Sequence, residues 1–246
     1  MKFSLLALLA APLLAVAAPL LDRAAKPPAF FLAGDSTTAV NGGWGDGFVA
    51  TLQNGAIGQN KGHSGTTTAS FVARGDWETV LSLVKNNKAK YKCYVTIQFG
   101  HNDQKSTSGV SISQFETNMQ SMANQVKSAG GTPIILTSLT RRTFTKGILD
   151  DNLADVAEAA KKAAAAVGVT MLDLNAASRK YVQAIGSSNA DQYNLAQGDR
   201  THLNAHGTDV FGRMVADLIV GWQSELSAYI SPDAALSKSI AQGVYA

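Results

Sequence analysis

The sequence contains a single cysteine among its 246 residues, Cys93. One cysteine excludes an internal disulfide and any metal centre built on several thiolates. It lies in the apolar run CYVTIQF, where a buried structural thiol is the expected interpretation. A domain of more than 200 residues buries enough apolar surface to fold without disulfides, even outside the cell.

Charge is also scarce, because charged residues make up 16% of the chain and the formal net charge is only +3. No dense face of lysine and arginine is visible, so nucleic acid is not expected as a partner. A weak positive balance is compatible with an acidic polymer such as a uronate-bearing glycan. The sequence has no Asn-x-Ser/Thr sequon, and N-glycosylation is therefore not expected.

Long apolar runs are absent beyond the N-terminus. There, Lys2 precedes an apolar run over residues 5–16, and Ala15-Val16-Ala17 offers a small-x-small cleavage site. The run is short for a membrane span, so we predict a signal peptide over 1–17 and a secreted protein without a membrane segment. A leader or short propeptide over 18–26, one domain over 27–230 and a C-terminal tail over 231–246 complete the predicted organisation.

Short apolar runs alternate with helical patterns, and no repeat or low-complexity linker interrupts them. The runs predict strands near 29–33, 56–60, 93–99, 133–138 and 169–174. Apolar residues at helical spacing predict helices over 44–52, 77–84, 112–128, 149–167 and 205–229. This alternation predicts a parallel sheet with helices on both faces, in which ligands bind at the carboxyl ends of the strands.

Four polar, glycine-bearing loops fall at the ends of these predicted elements. FFLAGDSTTAV places Ser36 just after the first strand, and NKGHSGTTT (60–68) follows the second. GHND (100–103) follows the third strand, and GDRTHLN (198–204) precedes the last long helix. Together the loops supply a serine, a glycine, an asparagine and an Asp-x-x-His pair.

These groups are the parts that acyl transfer requires. A serine hydroxyl such as that of Ser36 becomes a good nucleophile when an imidazole takes its proton. The imidazole needs an acceptor on its other nitrogen, and Asp199 and His202, three residues apart, can meet around one tight turn. Donors for the oxyanion are available from the backbone N–H groups of Ser36 and Gly62 and from the side-chain amide of Asn102.

The ordered blocks GDST, a loop glycine, GHND and a C-terminal DxxH resemble the SGNH (GDSL-like) hydrolase superfamily. The longer pattern FLAGDST…NGGWGDGF…GHND is similar, more narrowly, to the fungal rhamnogalacturonan acetylesterases. The resemblance covers essentially the whole chain after the predicted signal peptide. Because such relatives often carry disulfides, the single cysteine is a departure, and the outer loops are expected to be held differently.

The resemblance implies a flavodoxin-like three-layer α/β/α fold with five parallel strands. It implies Ser36 as nucleophile, Asp199 and His202 as its partners, and Ser36, Gly62 and Asn102 as the oxyanion hole. It also implies hydrolysis of O-acetyl esters without a metal or cofactor.

Other interpretations of the same residues stay open at this point. Ser36 is also suited to capping a helix, and Ser64 in GHSG is a second candidate nucleophile. His206, with Asp209 three residues on, competes with His202, although it fits the first turn of the last helix. His202 and His206 have the spacing of a helical zinc pair, but the sequence offers no third ligand.

The remaining polar and aromatic residues near these loops have two interpretations each. His63, His101, Asp35 and Asp103 are expected to fix their loops. Trp44 suits either the core or a platform for a sugar ring. Arg141 and Arg142 follow the fourth strand, where they form either a solvated turn or a site for a substrate carboxylate. We therefore count Trp44, Arg141 and Arg142 as candidate substrate-binding residues.

The leading hypothesis is a secreted serine esterase that deacetylates a plant cell-wall polysaccharide, most specifically rhamnogalacturonan in pectin. It is expected to act as a monomer on an acetylated polysaccharide. A lipase, lysophospholipase or thioesterase acting on longer acyl chains is the first alternative, and an acetylxylan esterase is another. A non-catalytic glycan-binding protein is the third possibility.

Overall fold

The computed structural model describes residues 26–246, so the predicted signal peptide and nearly all of the predicted leader lie outside the described residues. In this part of the chain the strands are β1 (Pro28–Gly34), β2 (Ile57–Asn60), β3 (Lys92–Gln98), β4 (Thr132–Leu136), β5 (Phe144–Thr145), β6 (Ile148–Leu149) and β7 (Thr170–Leu172). The helices are α1 (Gly45–Ala50), α2 (Thr68–Ala73), α3 (Asp76–Asn87), α4 (Ile112–Ala129), α5 (Ala154–Val167), α6 (Leu174–Ala190), α7 (Ala205–Trp222) and α8 (Ala234–Gln242).

Five of these strands form one parallel sheet in the order β2-β1-β3-β4-β7. Counted along the chain this is the order 2-1-3-4-5 of flavodoxin-like folds. With helices on both faces it makes a three-layer α/β/α protein, which confirms the predicted fold. β5 and β6 form a separate antiparallel hairpin.

The central strands are apolar on both faces because helices cover both sides of the sheet. Along β1, Phe31 belongs to a core that includes side chains of α2, α3, α4 and α5. Its neighbours Phe30 and Leu32 belong to the opposite core, with side chains of α1, α6 and α7. Every residue of β1 is buried. Cys93 in β3 is 3% exposed, and burial raises the pKa of its thiol.

The strand order changes direction between β1 and β3. The chain first goes from β1 to β2 at one edge of the sheet, and then crosses to β3 on the other side of β1. Such a switch point leaves a crevice at the carboxyl ends of the two strands. The loops that carry Ser36 and Asn102 leave β1 and β3 at this crevice.

Helices α1 and α7 approach closely at a pair of glycines, Gly47 and Gly212. A Cβ added to Gly47 would collide with the carbonyl of Thr208, and one added to Gly212 would collide with the backbone at Gly47. α1 follows the loop of Ser36, and α7 follows the loop of His202. The glycine contact therefore joins the two elements that carry these loops.

Several predicted boundaries differ from the structure. The helix predicted from residue 149 begins at Ala154, because 148–149 pair with 144–145 in the hairpin. The last long helix ends at Trp222 instead of 229, and a 3-10 helix covers Ser224–Tyr229. α2 and α6 were not predicted. The tail forms α8, which packs on α7. Along residues 26–246, no helix combines the length and apolar character that crossing a bilayer requires.

Candidate active site

The turn after β1 presents Ser36 at the carboxyl edge of the sheet. The side chain of Asp35 shapes this turn, because its Oδ1 accepts hydrogen bonds from the Thr37 N–H (2.9 Å) and hydroxyl (2.8 Å). The Asp35 carbonyl accepts from the N–H of Thr38 at 3.1 Å. Gly34 must lack a side chain, since a Cβ there would collide with Thr38. Ser36 itself is mostly buried at this turn, with 8% of its surface exposed.

A buried polar network supports this turn from behind. Gln98, at the end of β3, donates from Nε2 to the Thr37 hydroxyl at 2.8 Å, and its Oε1 accepts from the indole N–H of Trp44 at 2.7 Å. Trp44 is 0% exposed. The candidate role of Trp44 as a sugar platform is therefore wrong, because no substrate can reach its ring.

The loop before α7 brings Asp199 and His202 to the same place. His202 Nε2 lies 2.9 Å from Ser36 Oγ, and His202 Nδ1 lies 2.9 Å from Asp199 Oδ2. Asp199 Oδ1 accepts from the backbone N–H groups of Thr201 and His202, each at 3.0 Å. The structure thus joins three residues from two distant loops in one hydrogen-bonded chain.

Arg142 holds the loop that carries Asp199 and His202. Its guanidinium donates to the His202 carbonyl (2.6 Å), the Asp199 carbonyl (3.3 Å) and Asn194 Oδ1 (2.9 Å). Burial lowers the pKa of Arg142 to about 10, against the opposing effect of Asp199 and Asp191. Since Arg142 is 0% exposed, its candidate role as a substrate-binding residue is wrong.

Burial and hydrogen bonding set the protonation of the two carboxyl groups near the site, Asp199 and Asp35. Burial alone would raise the pKa of Asp199, but hydrogen bonds from His202 and Thr201 outweigh burial, so its pKa lies below the ordinary range. Asp199 is therefore ionised and suited to orient an imidazole. In contrast, burial raises the pKa of Asp35 in spite of its bonds from Thr37.

His101 is neutral, since burial lowers its pKa to about 3. Its Nε2 lies 2.8 Å from the Leu139 carbonyl, which can only accept, so Nε2 carries the proton. Asp103 Oδ1 accepts from the Thr68 N–H at 2.8 Å and from its hydroxyl at 2.6 Å. Both residues therefore anchor the loop that follows β3.

The side-chain amide of Asn102 is held between two partners. Its Nδ2 donates to the carbonyl of Thr66 at 3.0 Å, and its Oδ1 accepts from Lys105 Nζ at 2.6 Å. One of the two N–H bonds of Nδ2 remains available for a ligand. Lys105 is a functional candidate that the sequence did not indicate.

Gly62 remains a predicted oxyanion donor: its N–H donates to Asn60 Oδ1 at 3.0 Å, and its backbone packs against the turn of Ser36, since a Cβ there would lie 2.6 Å from the Ala39 nitrogen. Gly65, three residues on, is exposed and precedes Thr66, whose carbonyl holds Asn102. No group within residues 26–246 accepts a hydrogen bond from the N–H of Gly65 or of Ser36. Gly65 is therefore a further candidate for a backbone donor beside the predicted Gly62.

The other candidates from the sequence lie outside the hydrogen-bonded chain of Ser36, His202 and Asp199. His206 lies in the first turn of α7, and its Nε2 donates to the Ala246 carbonyl at 2.6 Å. Ser64 is exposed, and His63 pairs with Asp76 at 2.9 Å. Arg141 is partly buried and donates to the hydroxyl of Thr201. Among residues 26–246 no group of three or more His, Cys, Asp or Glu side chains is placed to hold a metal ion.

The fold and this constellation define a class of protein. The GDSL-like Lipase/Acylhydrolase family matches residues 32–210, which run from β1 into α7 and include every member of the hydrogen-bonded chain. The chain belongs to this family and is a carboxylic ester hydrolase.

Within the family, the chain is similar to the rhamnogalacturonan acetylesterase RhgT of Bacillus subtilis, with 29% identity over 212 residues that cover 78% of this chain and 89% of RhgT. The resemblance to rhamnogalacturonan acetylesterases thus extends to a bacterial protein.

Solved structures show the same fold. The YxiM protein of Bacillus subtilis aligns with a TM-score of 0.69 and 24% identity, covering 81% of this chain and 58% of YxiM. A catalytic mutant of Axe2, an acetylxylan esterase from Geobacillus stearothermophilus, aligns with a TM-score of 0.61 and 19% identity, covering 79% of this chain and 95% of Axe2.

Proposed function

We propose that this chain is a secreted serine esterase that removes O-acetyl groups from plant cell-wall polysaccharide, with rhamnogalacturonan as its leading substrate. The observation that supports this proposal most strongly is the chain of contacts from Ser36 through His202 to Asp199, with both heavy-atom distances at 2.9 Å. Nucleophile, base and orienting carboxylate are then all within hydrogen-bond reach.

In the first half of the reaction, the Ser36 hydroxyl attacks the acetyl carbonyl carbon while His202 Nε2 takes its proton. Asp199 stabilises the resulting imidazolium through Nδ1. The tetrahedral oxyanion accepts hydrogen bonds from the Ser36 N–H, from Asn102 Nδ2 and from a glycine N–H of the loop after β2, for which Gly62 is the predicted donor and Gly65 a further candidate. The bond to the sugar oxygen then breaks, and the sugar hydroxyl leaves with the proton from His202.

The second half releases acetate. His202 takes a proton from water, which attacks the acetyl ester on Ser36 through a second oxyanion. Ser36 Oγ leaves with the proton from His202, and acetic acid is released and ionises. The enzyme returns to its starting state with no net change in charge or protonation.

Two findings support a polysaccharide substrate. The first is the similarity to RhgT, which is a rhamnogalacturonan acetylesterase. The second is Arg141, which keeps part of its surface exposed beside the loop of His202 and Thr201. A guanidinium at this edge suits a uronate carboxylate, so Arg141 remains our candidate for substrate binding.

Acetate release from a panel of substrates tests the proposal. The panel contains acetylated rhamnogalacturonan, acetylated xylan and p-nitrophenyl esters of increasing acyl length. We expect the highest kcat/KM on acetylated rhamnogalacturonan and a steep preference for acetate among the synthetic esters. Activity that rises with acyl length would favour a lipase or thioesterase, and a preference for xylan would favour an acetylxylan esterase.

The variant Ser36→Ala serves as the matched control for the whole panel. Removing the nucleophile is expected to lower kcat by about 10⁴-fold or more, as in other serine hydrolases. The thermal midpoint should stay close to that of the parent, because the hydroxyl is not part of the buried network. Undiminished hydrolysis by a folded Ser36→Ala protein would rule out this nucleophile.

A further inference from the structure

The orientation of the Asn102 amide determines whether it can stabilise an oxyanion. With Nδ2 toward the reacting carbonyl, the amide donates a hydrogen bond; turned over, it presents an oxygen that repels the developing charge. Asn102 is 8% exposed, so water has little part in choosing between the two orientations. Its neighbours must therefore make this choice.

Two neighbours of fixed polarity surround the amide. The carbonyl of Thr66 can only accept, and it lies 3.0 Å from Nδ2. The ammonium of Lys105 can only donate, and it lies 2.6 Å from Oδ1. Reversing the amide would place an oxygen against an oxygen and an NH₂ against an NH₃⁺. Both partners thus require the orientation that an oxyanion hole needs.

The loop that follows β3 fixes Lys105 in position. The Lys105 N–H donates to the Asn102 carbonyl at 3.1 Å, which makes a tight turn across the sequence NDQK. The Lys105 carbonyl accepts from the N–H of Ser108 at 2.8 Å, and the Ser108 hydroxyl donates to the Asp103 carbonyl at 2.6 Å. These bonds keep the lysine backbone beside the asparagine although the lysine itself is exposed.

We propose that Lys105 is a positioning residue for catalysis, which fixes and polarises the Asn102 amide so that Nδ2 faces the oxyanion. This inference rests on the proposed function, in which Asn102 is an oxyanion donor. A cation on the amide oxygen draws electron density from nitrogen, which strengthens the remaining N–H as a donor. The effect is realised in kcat, because the oxyanion exists only after attack on the substrate carbonyl.

A neutral small ester, p-nitrophenyl acetate, provides the test. We expect Lys105→Met to lower kcat roughly tenfold, the lower end of what a hydrogen bond to a charged group contributes, with KM and the thermal midpoint nearly unchanged. Lys105→Arg supplies another cation that only donates, and it should restore most of the rate. Lys85→Met is the matched control, because Lys85 is an exposed lysine of α3 that pairs with Glu78.

A double-mutant cycle links the effect to Asn102. Asn102→Ala alone should lower kcat roughly 10²-fold. In the Asn102→Ala background, Lys105→Met should change kcat less than about twofold, because the group it positions is gone. An equal fall in both backgrounds would overturn the proposal.

Two further outcomes would also overturn it. Lys105→Met could leave kcat on the neutral ester unchanged and raise only KM on an acidic polymer, which would make Lys105 a substrate-binding residue. Full activity of Asn102→Ala would remove the oxyanion role on which the inference rests. The Ser36→Ala control separates these results from a failure of the proposed function, since only that failure leaves the Ser36→Ala protein active.

Discussion

The two turns that meet at the active site are held in different ways. The turn of Ser36 is tied to the core at several points, through Asp35, Thr37 and Gln98. The loop of His202 is held by backbone bonds, among them the Leu203 N–H to the Gly42 carbonyl at 2.8 Å, and by one buried guanidinium, that of Arg142, which bonds to two of its carbonyls. Several small side-chain contacts support the first turn, whereas the second loop combines backbone hydrogen bonds with one buried cation.

This difference predicts unequal sensitivity to substitution. A turn with several supports keeps its geometry when one of them is removed. Removing Arg142 deprives the His202 and Asp199 carbonyls of their guanidinium donor, and misplacing a catalytic group by about 1 Å can cost 10²-fold in rate. Substitutions on the side of His202 should therefore affect turnover more than equally buried substitutions behind Ser36.

Of the substitutions that compare the two elements, Asp199→Asn is expected to lower turnover most. It alters only the loop of His202 and leaves the turn of Ser36 unchanged. An asparagine that donates to Nδ1 would stabilise the tautomer with the proton on Nε2, which cannot accept the proton of Ser36. We expect kcat on p-nitrophenyl acetate to fall about 10³- to 10⁴-fold, less than for Ser36→Ala. The midpoint of thermal unfolding should change little, and a fall of under tenfold would show that Asp199 does not orient the base.

Arg142→Met should come next, because it removes the donor to the His202 and Asp199 carbonyls while filling a similar volume. We expect kcat to fall about 10- to 10²-fold and stability to fall by about 2 kcal/mol. Arg142→Lys should recover part of both losses. Urea unfolding and steady-state kinetics measure the two effects, and an unaltered kcat in a folded Arg142→Met protein would contradict the contrast between the two turns.

Trp44→Phe provides the matched change behind Ser36. Phenylalanine keeps an aromatic ring in the core but loses the hydrogen bond to Gln98. We expect a loss of about 1–2 kcal/mol in stability and a change in kcat within about threefold, since the contact of Gln98 with Thr37 remains. A larger fall in kcat than for Arg142→Met would reverse the comparison.

His101→Gln should have the smallest effect on activity at neutral pH and act instead on stability in acid. The pKa of His101 is about 3 in the folded protein and its ordinary value is 6.5, so below pH 6.5 the unfolded chain binds the additional proton. This costs up to about 1.4 kcal/mol of stability per pH unit as the pH falls from 6.5 toward 3.

Glutamine does not titrate and can donate to the Leu139 carbonyl, so the variant should lose stability less steeply in acid. Urea unfolding of both proteins at pH 7, 5 and 4 measures the difference. Carboxylates such as Asp35 make the same contribution to the pH dependence of stability in both proteins, so they cancel in the difference between the two curves. Parallel stability curves would show that His101 is already charged in the folded state.

Much of the fold follows from the sequence, because strands buried on both faces form apolar runs such as Ala29–Ala33. The hairpin at 144–149 was missed because its two-residue strands depend on the turn at Lys146 and Gly147, where φ is +51° and +83°. α6 was missed because Gly186 and the serines after it suggest a loop. In the structure the backbone at Gly186 leaves the helical region (φ 76°, ψ 168°), and α6 consists of two helical segments that meet at this residue.

The meeting of Ser36 with His202 was also predictable, since both follow or precede elements that end at one edge of the sheet. The support around them was not. Sequence does not show which loop a long side chain will reach, so Arg142 resembled a surface residue. Nor does it show that the N–H of Gly62 is already bonded to Asn60.

The contact between Gly47 and Gly212 has a consequence for redesign. The distance between Ser36 and His202 depends on how closely α1 and α7 approach each other. This close approach requires that neither Gly47 nor Gly212 bears a side chain. Enlarging either glycine would spread the base away from the hydroxyl without touching any reacting group. Attempts to alter substrate preference are better directed at exposed residues that neither react nor position a reacting group, such as Ser64, where added bulk leaves this spacing intact.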